Sequence, residues 1–498
     1  MEARFVWIAP ALYALMLALW PALPMQDASA WVFEASLLHQ KLAGHAASGC
    51  SLVDALPPNA FAQLTIADLQ SVLPAELAGR LYMMLCVGGL FASLVYLRVR
   101  GLALLAILPL CAGYPLYHGF LNYMAALPVL GFGLGGLLRN PEARGARGLA
   151  LLLVVPTVLY TCHGTVLAVW GLLVLVQCWV RRSWQLLARA AVGFVPVLCL
   201  LALYVLQRNA EGAGVTWSAG SLLATISYRL RSPLRFFSVF HGLAPTYDDV
   251  SLRAVAPVCA VLNVVYGVWL CASGVTWAVR ARTSARLDER FLALSTLALC
   301  VCFLVLPHDV AKMLNPAERL LLPAAMIGAA GASLRPRMPQ RWGVVLYALL
   351  ALQLVYVGVW GTRAATAAES LIAARKRFGF DAPVVQARQL RFAGAAPSLG
   401  AVDLLPRHQV LAMQGMLEEF RAGHLVAPFD TGLFRCHLED QVNPTGWDLA
   451  EFCRHERPLI VLGEKEHVGA VTDQLGPDWR TLQVGTGFNV VQRTAAQP

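Results

Sequence analysis

The chain has 498 residues, 58% of them hydrophobic and 14% charged, and its mean hydropathy is +0.60. Soluble globular chains carry roughly 25% charged residues, so this composition excludes that class and points to a protein dissolved largely in lipid. The net charge of +10 does not indicate nucleic acid: basic and acidic residues nearly cancel over 362–498, and the excess sits in short arginine-rich links between the apolar runs of 1–361.

Those links alternate in character. One set holds Arg98 and Arg100; Arg139, Arg144 and Arg147; Arg181, Arg182 and Arg189; Arg280, Arg282, Arg286 and Arg290; and Arg335, Arg337 and Arg341. The other holds Asp27, Glu34, His118, His163, Asp248, Asp249, His308 and Asp309. Cytoplasmic loops collect Lys and Arg, which puts the first set inside and the second outside.

In chain order, a span over about residues 5–23 leads to an exterior loop, 25–79. Ala28-Ser29-Ala30 imitates a signal-peptide cleavage site, yet either reading leaves residue 31 onward outside. A span over 81–97 follows. The run 102–138 would be about 55 Å long as a helix, too long for one crossing of roughly 30 Å of hydrocarbon. It breaks around 114–119, and 149–180 breaks in the same way at Cys162-His163-Gly164. Each is two full spans or a re-entrant hairpin, and both choices return its ends to the arginine-rich side. A span near 186–206 opens onto exterior loop 208–253. Spans near 254–278 and 291–306 reach exterior turn 307–319, and the last two lie near 320–334 and 342–361.

The prediction is a polytopic α-helical membrane protein of about 11 spans, N-terminus inside and C-terminus outside. Beyond membrane domain 1–361, residues 362–498 read as a small exterior α/β domain. Its signals are an amphipathic helix over 366–378, a buried-strand pattern at 458–463 and a hairpin about Gly485-Thr486-Gly487. Nine of the twelve cysteines fall in spans, where they act as small apolar side chains. Cys50, Cys436 and Cys453 fall outside; a Cys436–Cys453 disulfide is expected in an oxidising compartment, leaving Cys50 as a thiol.

The exterior segments hold the candidate chemistry. Asp27, Trp31 and Glu34 share one face if 25–42 is helical. Two carboxylates flanking an aromatic suit a sugar, whose hydroxyl an acid deprotonates and whose ring packs on indole; an interfacial anchoring helix would show the same pattern. His118 and His163 sit at the outer tips of the two broken runs, with Tyr117, Asn122 and Tyr123 close by in sequence. Tyr228, Arg229 and Arg231 lie in the second exterior loop. His308, Lys312, Asn315 and Arg319 would share a helix face in the third, although Pro316 opposes a helix there. Exterior arginines at the membrane edge run against the usual sidedness, and a phosphate would explain them, as would lipid headgroups. Asp248, Asp249 and Asp309 offer the oxygen ligands a divalent cation takes, but their spacing specifies no metal.

The acidic first loop, the segment Gly119-Phe120-Leu121-Asn122-Tyr123, the strand near 459–462 and the terminal Phe488-Asn489-Val490-Val491-Gln492-Arg493 together resemble the C-type (GT-C) membrane glycosyltransferases, in an uncharacterised bacterial branch. The resemblance implies a polyprenyl-phosphate sugar donor, a glycan or lipid acceptor, and a bacterial inner membrane with the C-terminal domain periplasmic. It implies Asp27 as catalytic base by position, with Glu34 in reserve. Trp31, His118, Asn122, His163, Tyr228, Arg229, Arg231, His308, Lys312 and Arg319 would bind substrate. The chain departs from the commonest form in lacking an adjacent Asp-Glu pair in the first loop. Two other classes share these features: a flippase for a lipid-linked saccharide, and a non-catalytic assembly factor for polysaccharide synthesis. Coupled transport would need polar residues along a path through the spans, and their interiors are poor in charge.

Overall fold

The computed structural model describes residues 7–20, 28–44, 50–53, 55–210, 217–218, 222–240, 250–306, 309–310, 313–314, 316–334, 341–378, 384–386, 434–436, 459–462, 479–485 and 488–493. In chain order these form α1 (Ile8–Leu19), α2 (Ala28–Leu42), β1 (Cys50–Leu52), α3 (Phe61–Leu69), α4 (Ala75–Tyr96), α5 (Gly101–Ile107), α6 (Tyr114–Tyr117), α7 (Leu121–Arg139), α8 (Gly145–Cys162), α9 (Gly164–Arg181) and α10 (Trp184–Ala210). There follow β2 (Trp217–Ser218), α11 (Leu222–Phe236), α12 (Val250–Ala281), α13 (Leu287–Val305), β3 (Asp309–Val310), β4 (Met313–Leu314), α14 (Leu321–Ala332), α15 (Arg341–Phe378), β5 (Val384–Gln386), β6 (Phe434–Cys436), β7 (Leu459–Leu462), β8 (Trp479–Gly485) and β9 (Phe488–Arg493).

Among the described residues, seven helices are long and apolar enough to cross a bilayer. Several of the apolar runs behind the expected count of about 11 form shorter helices among the described residues. α1 and α14 have 12 residues each, about 18 Å at 1.5 Å per residue, short of the hydrocarbon thickness. The run 102–138 divides into broken short turns and one long helix, α7. Pro109 and Pro115 open new helical turns, and Gly119, at φ +73°, supplies a left-handed reversal before α7. The run 149–180 becomes two 18-residue helices, α8 and α9, meeting at His163. The helix expected over 25–42 is described from Ala28, residues 25–27 lying outside the described residues, and the amphipathic 366–378 continues α15 without a break.

The chain divides into two compact units. The first comprises Met1–Met16, Asp54–Ala62 and Tyr82–Val357. Its helices turn large apolar side chains outward, among them Leu198, Leu203, Val261, Val265 and Val355, as a surface in contact with lipid requires. Inside, Asn263 and Gln353 are fully buried amides. Asn263 Oδ1 accepts from the Val239 and Phe240 N–H groups at 2.9 and 3.0 Å. Gln353 Nε2 donates to the Pro109 and Val239 carbonyls at 2.8 and 2.9 Å. These side chains satisfy irregular backbone that would be costly in an apolar interior, so their role is structural. Small residues allow close helix contact: a Cβ on Gly193 of α10 would lie 2.4 Å from the Leu152 carbonyl oxygen of α8. Gly193→Val is therefore expected to destabilise the protein by about 1–3 kcal/mol through overpacking, read as a lower midpoint in detergent thermal unfolding.

The second unit comprises Leu17–Val53, Gln63–Leu81 and Gly358–Pro498. Its four-stranded sheet runs β5-β7-β9-β8, with β5 and β7 parallel and the other pairs antiparallel. The expected hairpin is β8–β9, with Gly485 opposite Phe488, and the 459–462 run is an interior strand of this sheet. A second pairing joins β1 to β6.

Candidate functional site

Four stretches assigned by sequence to the exterior end of the spans converge in the first unit: 114–123, His163, 228–236 and 318–319. The reversal at Gly119 places aromatic rings on either side of the turn. The Tyr114 and His118 ring centroids are 3.9 Å apart, and His118 stacks on Phe120 at 5.6 Å. Tyr123, in the first turn of α7, donates its hydroxyl to the Arg319 carbonyl at 3.0 Å and meets His163 edge-on at 5.3 Å. The Arg319 guanidinium lies 5.1 Å above the Phe120 ring.

Helix α11 turns Arg229 and Ser232 inward. Ile226 and Leu230 are exposed, whereas Arg229 and Ser232, three apart and so on one face, are buried. Arg229 Nη2 donates to the Leu306 carbonyl, and its guanidinium lies 5.2 Å from the ring centroids of Tyr228 and Phe303. Its Nε and Nη1 are buried with no hydrogen-bond acceptor among the described residues. Glu318 is buried and acts electrostatically on Arg229, Arg319 and Tyr228 alike.

Burial pulls the Arg229 pKa below its ordinary value, opposed by Tyr228 and Glu318. Burial does the same to Arg319, opposed chiefly by Tyr123 and Glu318. The Tyr228 phenol is raised by burial first and by Glu318 second. His163 is pushed down by burial and then by Arg319, which keeps its imidazole neutral. An anion entering this cluster would supply acceptors and restore favourable surroundings to both guanidinium groups.

The sequence-predicted residues separate into three groups. His118, His163, Tyr228, Arg229 and Arg319 belong to the cluster. Arg231 is exposed on α11, two residues from Arg229 and on a different face. Asp27, His308, Lys312, Asp248 and Asp249 lie outside the described residues. Asn315 lies outside the described residues too, and the described residues between His308 and Asn315 are extended: β3 and β4 pair antiparallel, and β2 pairs with β3.

Asn122 has a scaffold role. Its Oδ1 accepts from Ala62 N–H at 2.6 Å, and its Nδ2 donates to the Asn59 carbonyl. Asn59 adopts φ +66°, a conformation Asn tolerates, and its Oδ1 accepts from Gly164 N–H at 3.4 Å. The first-loop segment is thereby pinned to the N-terminal ends of α7 and α9. Asn122→Leu should cost about 1–3 kcal/mol by stranding the buried Ala62 N–H and the half-buried Asn59 carbonyl, measured by thermal unfolding.

In the second unit, Trp31 and Glu34 lie one turn apart on α2. Glu34 is 0% exposed and accepts from Gln63 Nε2 of α3 at 3.0 Å. Sequence reasoning missed Glu318 and Asn59. The available signal for Glu318 was an acid directly beside Arg319 at the mouth of an apolar run; nothing in the sequence marked Asn59. Among the described residues, no three His, Cys, Asp or Glu side chains gather as a metal centre would require.

No protein-family model and no curated protein sequence matches the chain. Solved structures do. ArnT from Cupriavidus metallidurans bound to undecaprenyl phosphate superposes with a TM-score of 0.51 at 14% identity, covering 98% of this chain and 97% of that one. The apo structure of the same protein gives 0.47 at 14% identity, covering 98% and 96%. Over nearly its whole length, the chain thus shares the fold of that ArnT structure.

Proposed function

We propose that this protein is a GT-C glycosyltransferase that moves a sugar from a polyprenyl-phosphate donor to an exterior-facing glycan or lipid acceptor. In this reading it lies in a bacterial inner membrane with residues 362–498 in the periplasm. The observation that carries the reading is Arg229, whose buried Nε and Nη1 donors meet no acceptor among the described residues. It belongs to the same cluster as Arg319, His163 and the Tyr228 phenol. A guanidinium is a fork of donors matched to phosphate oxygens. Undecaprenyl phosphate in the ArnT structure supports the same ligand class here, and the outward-facing apolar helices suit an isoprenoid tail.

The reaction would be a displacement at the anomeric carbon. The acceptor oxygen bonds to that carbon, the carbon–phosphate oxygen bond breaks, and polyprenyl phosphate leaves. Asp27 takes the acceptor hydroxyl proton. Arg229 and Arg319 stabilise the negative charge that grows on the leaving phosphate. His163, neutral and beside Arg319, contributes a hydrogen bond without adding charge to the cluster.

The test uses purified protein in nanodiscs with a panel of polyprenyl-phosphate and polyprenyl-diphosphate sugars, recording binding and release of the lipid phosphate. Binding with acceptor-dependent release is expected. Binding without release would replace the transferase with a carrier or assembly factor, and failure to bind any member of the panel would remove the phosphate site.

A further inference from the structure

Of the three cysteines outside the spans, two are brought into direct register. β1 and β6 pair antiparallel, with Cys50 opposite Cys436, Ser51 opposite Arg435 and Leu52 opposite Phe434. Both strands belong to the second unit. We propose that Cys50 and Cys436 form a disulfide that staples the first exterior loop to the C-terminal segment.

The backbone placement carries the argument. Directly opposed residues in an antiparallel pair share a face of the ladder, with Cα atoms about 4.5 or 5.5 Å apart depending on hydrogen-bonding phase. A disulfide spans Cα separations of about 4.4–6.8 Å, so both phases fall within reach. The bond competes with the Cys436–Cys453 pairing expected from sequence, since each places Cys436 in a different bridge. The staple also has a structural use. β1 and β6 are three-residue strands, and an isolated pair this short is marginal in water. A covalent bond would hold together segments separated by most of the chain, and with them the loop that carries α2.

Formation requires the exterior placement assigned by loop charge, where disulfides persist. Each thiol gives up one proton and one electron as the S–S bond forms. A disulfide-bearing oxidoreductase of that compartment accepts both electrons and both protons and is reduced to its dithiol.

The test uses the full chain, extracted from membranes with free thiols blocked by N-ethylmaleimide and no reductant. Trypsin cuts after Lys41, Arg435 and Arg454, which leaves Cys436 and Cys453 on one peptide; a glutamyl protease then separates them at Glu439 and Glu451. Mass spectrometry should find a fragment spanning Cys50 joined to 436–439, with Cys453 carrying maleimide. Linkage of 436–439 to 452–454, linkage of Cys50 to Cys453, or maleimide on all three would each overturn the proposal. In the C453A variant the Cys50 linkage should persist, and in C50A the Cys436 thiol should become fully labelled.

Discussion

Arg229→Met is expected to lower kcat for release of the lipid phosphate by about 10²–10³-fold, the range seen when one pre-aimed donor to a developing anion is removed. Methionine is the informative replacement because it fills an apolar gap flexibly and carries no donor. It preserves packing against Phe303 while deleting the fork. Arg229→Lys separates charge from geometry. A lysine retains a cation but offers a point charge where the guanidinium offers directed pairs, so its activity should fall between wild type and Arg229→Met. Donor affinity should weaken less than kcat if the charge on the phosphate grows toward the transition state. The half-buried Leu306 carbonyl loses its Arg229 donor in Arg229→Met, so thermal unfolding is measured alongside. A large activity loss with a midpoint near wild type supports the phosphate role. Equal activity in all three proteins would remove Arg229 from it.

The part of this site legible in the sequence was the part written in charge and in breaks. Arginine sidedness grouped 114–123, His163, 228–235 and 307–319 at one end of the molecule, and the described portions of these segments supply the cluster. Gly119 and His163-Gly164 marked reversals because a left-handed turn and a helix junction leave local chemical signatures. What sequence could not give was pairing. Sequence placed Arg229 and Arg231 alike in one exterior loop, and only packing shows the first buried and the second exposed. The 308–319 segment was read at a helical period, yet its described residues 309–310 and 313–314 are strands, and β3 pairs with the distant β2, a long-range choice with no local signal. Cys50 was left over for the same reason: its strand partner lies near the other end of the chain. Span boundaries depend on a related distinction, since hydropathy sees a 12-residue apolar helix such as α1 or α14 and a full crossing as differing only in degree.

Asp27→Asn is expected to reduce transfer by about 10²–10⁴-fold, the contribution typical of a positioned general base, while Glu34→Gln retains most of the wild-type rate. The two acids were equivalent by spacing, each one turn from Trp31. The structure distinguishes Glu34 by its surroundings. Its carboxylate is fully buried and accepts a hydrogen bond from Gln63, which joins α2 to α3. A base must come within about 3 Å of the acceptor hydroxyl or of one bridging water, and a carboxyl with no exposed surface is poorly placed to do so. Glutamine keeps the shape of Glu34 and an acceptor oxygen for Gln63, so its effect should fall on stability and be modest. Asp27 precedes α2 by a single residue, near the end of the first apolar run. Asparagine there keeps volume and polarity but cannot take a proton. Donor binding should survive in Asp27→Asn, since the phosphate cluster is built from other residues; lipid-phosphate release in the presence of acceptor should not. A reversed result, with Glu34→Gln inactive at normal stability and Asp27→Asn active, would move the base to α2 and require that helix to open during the reaction.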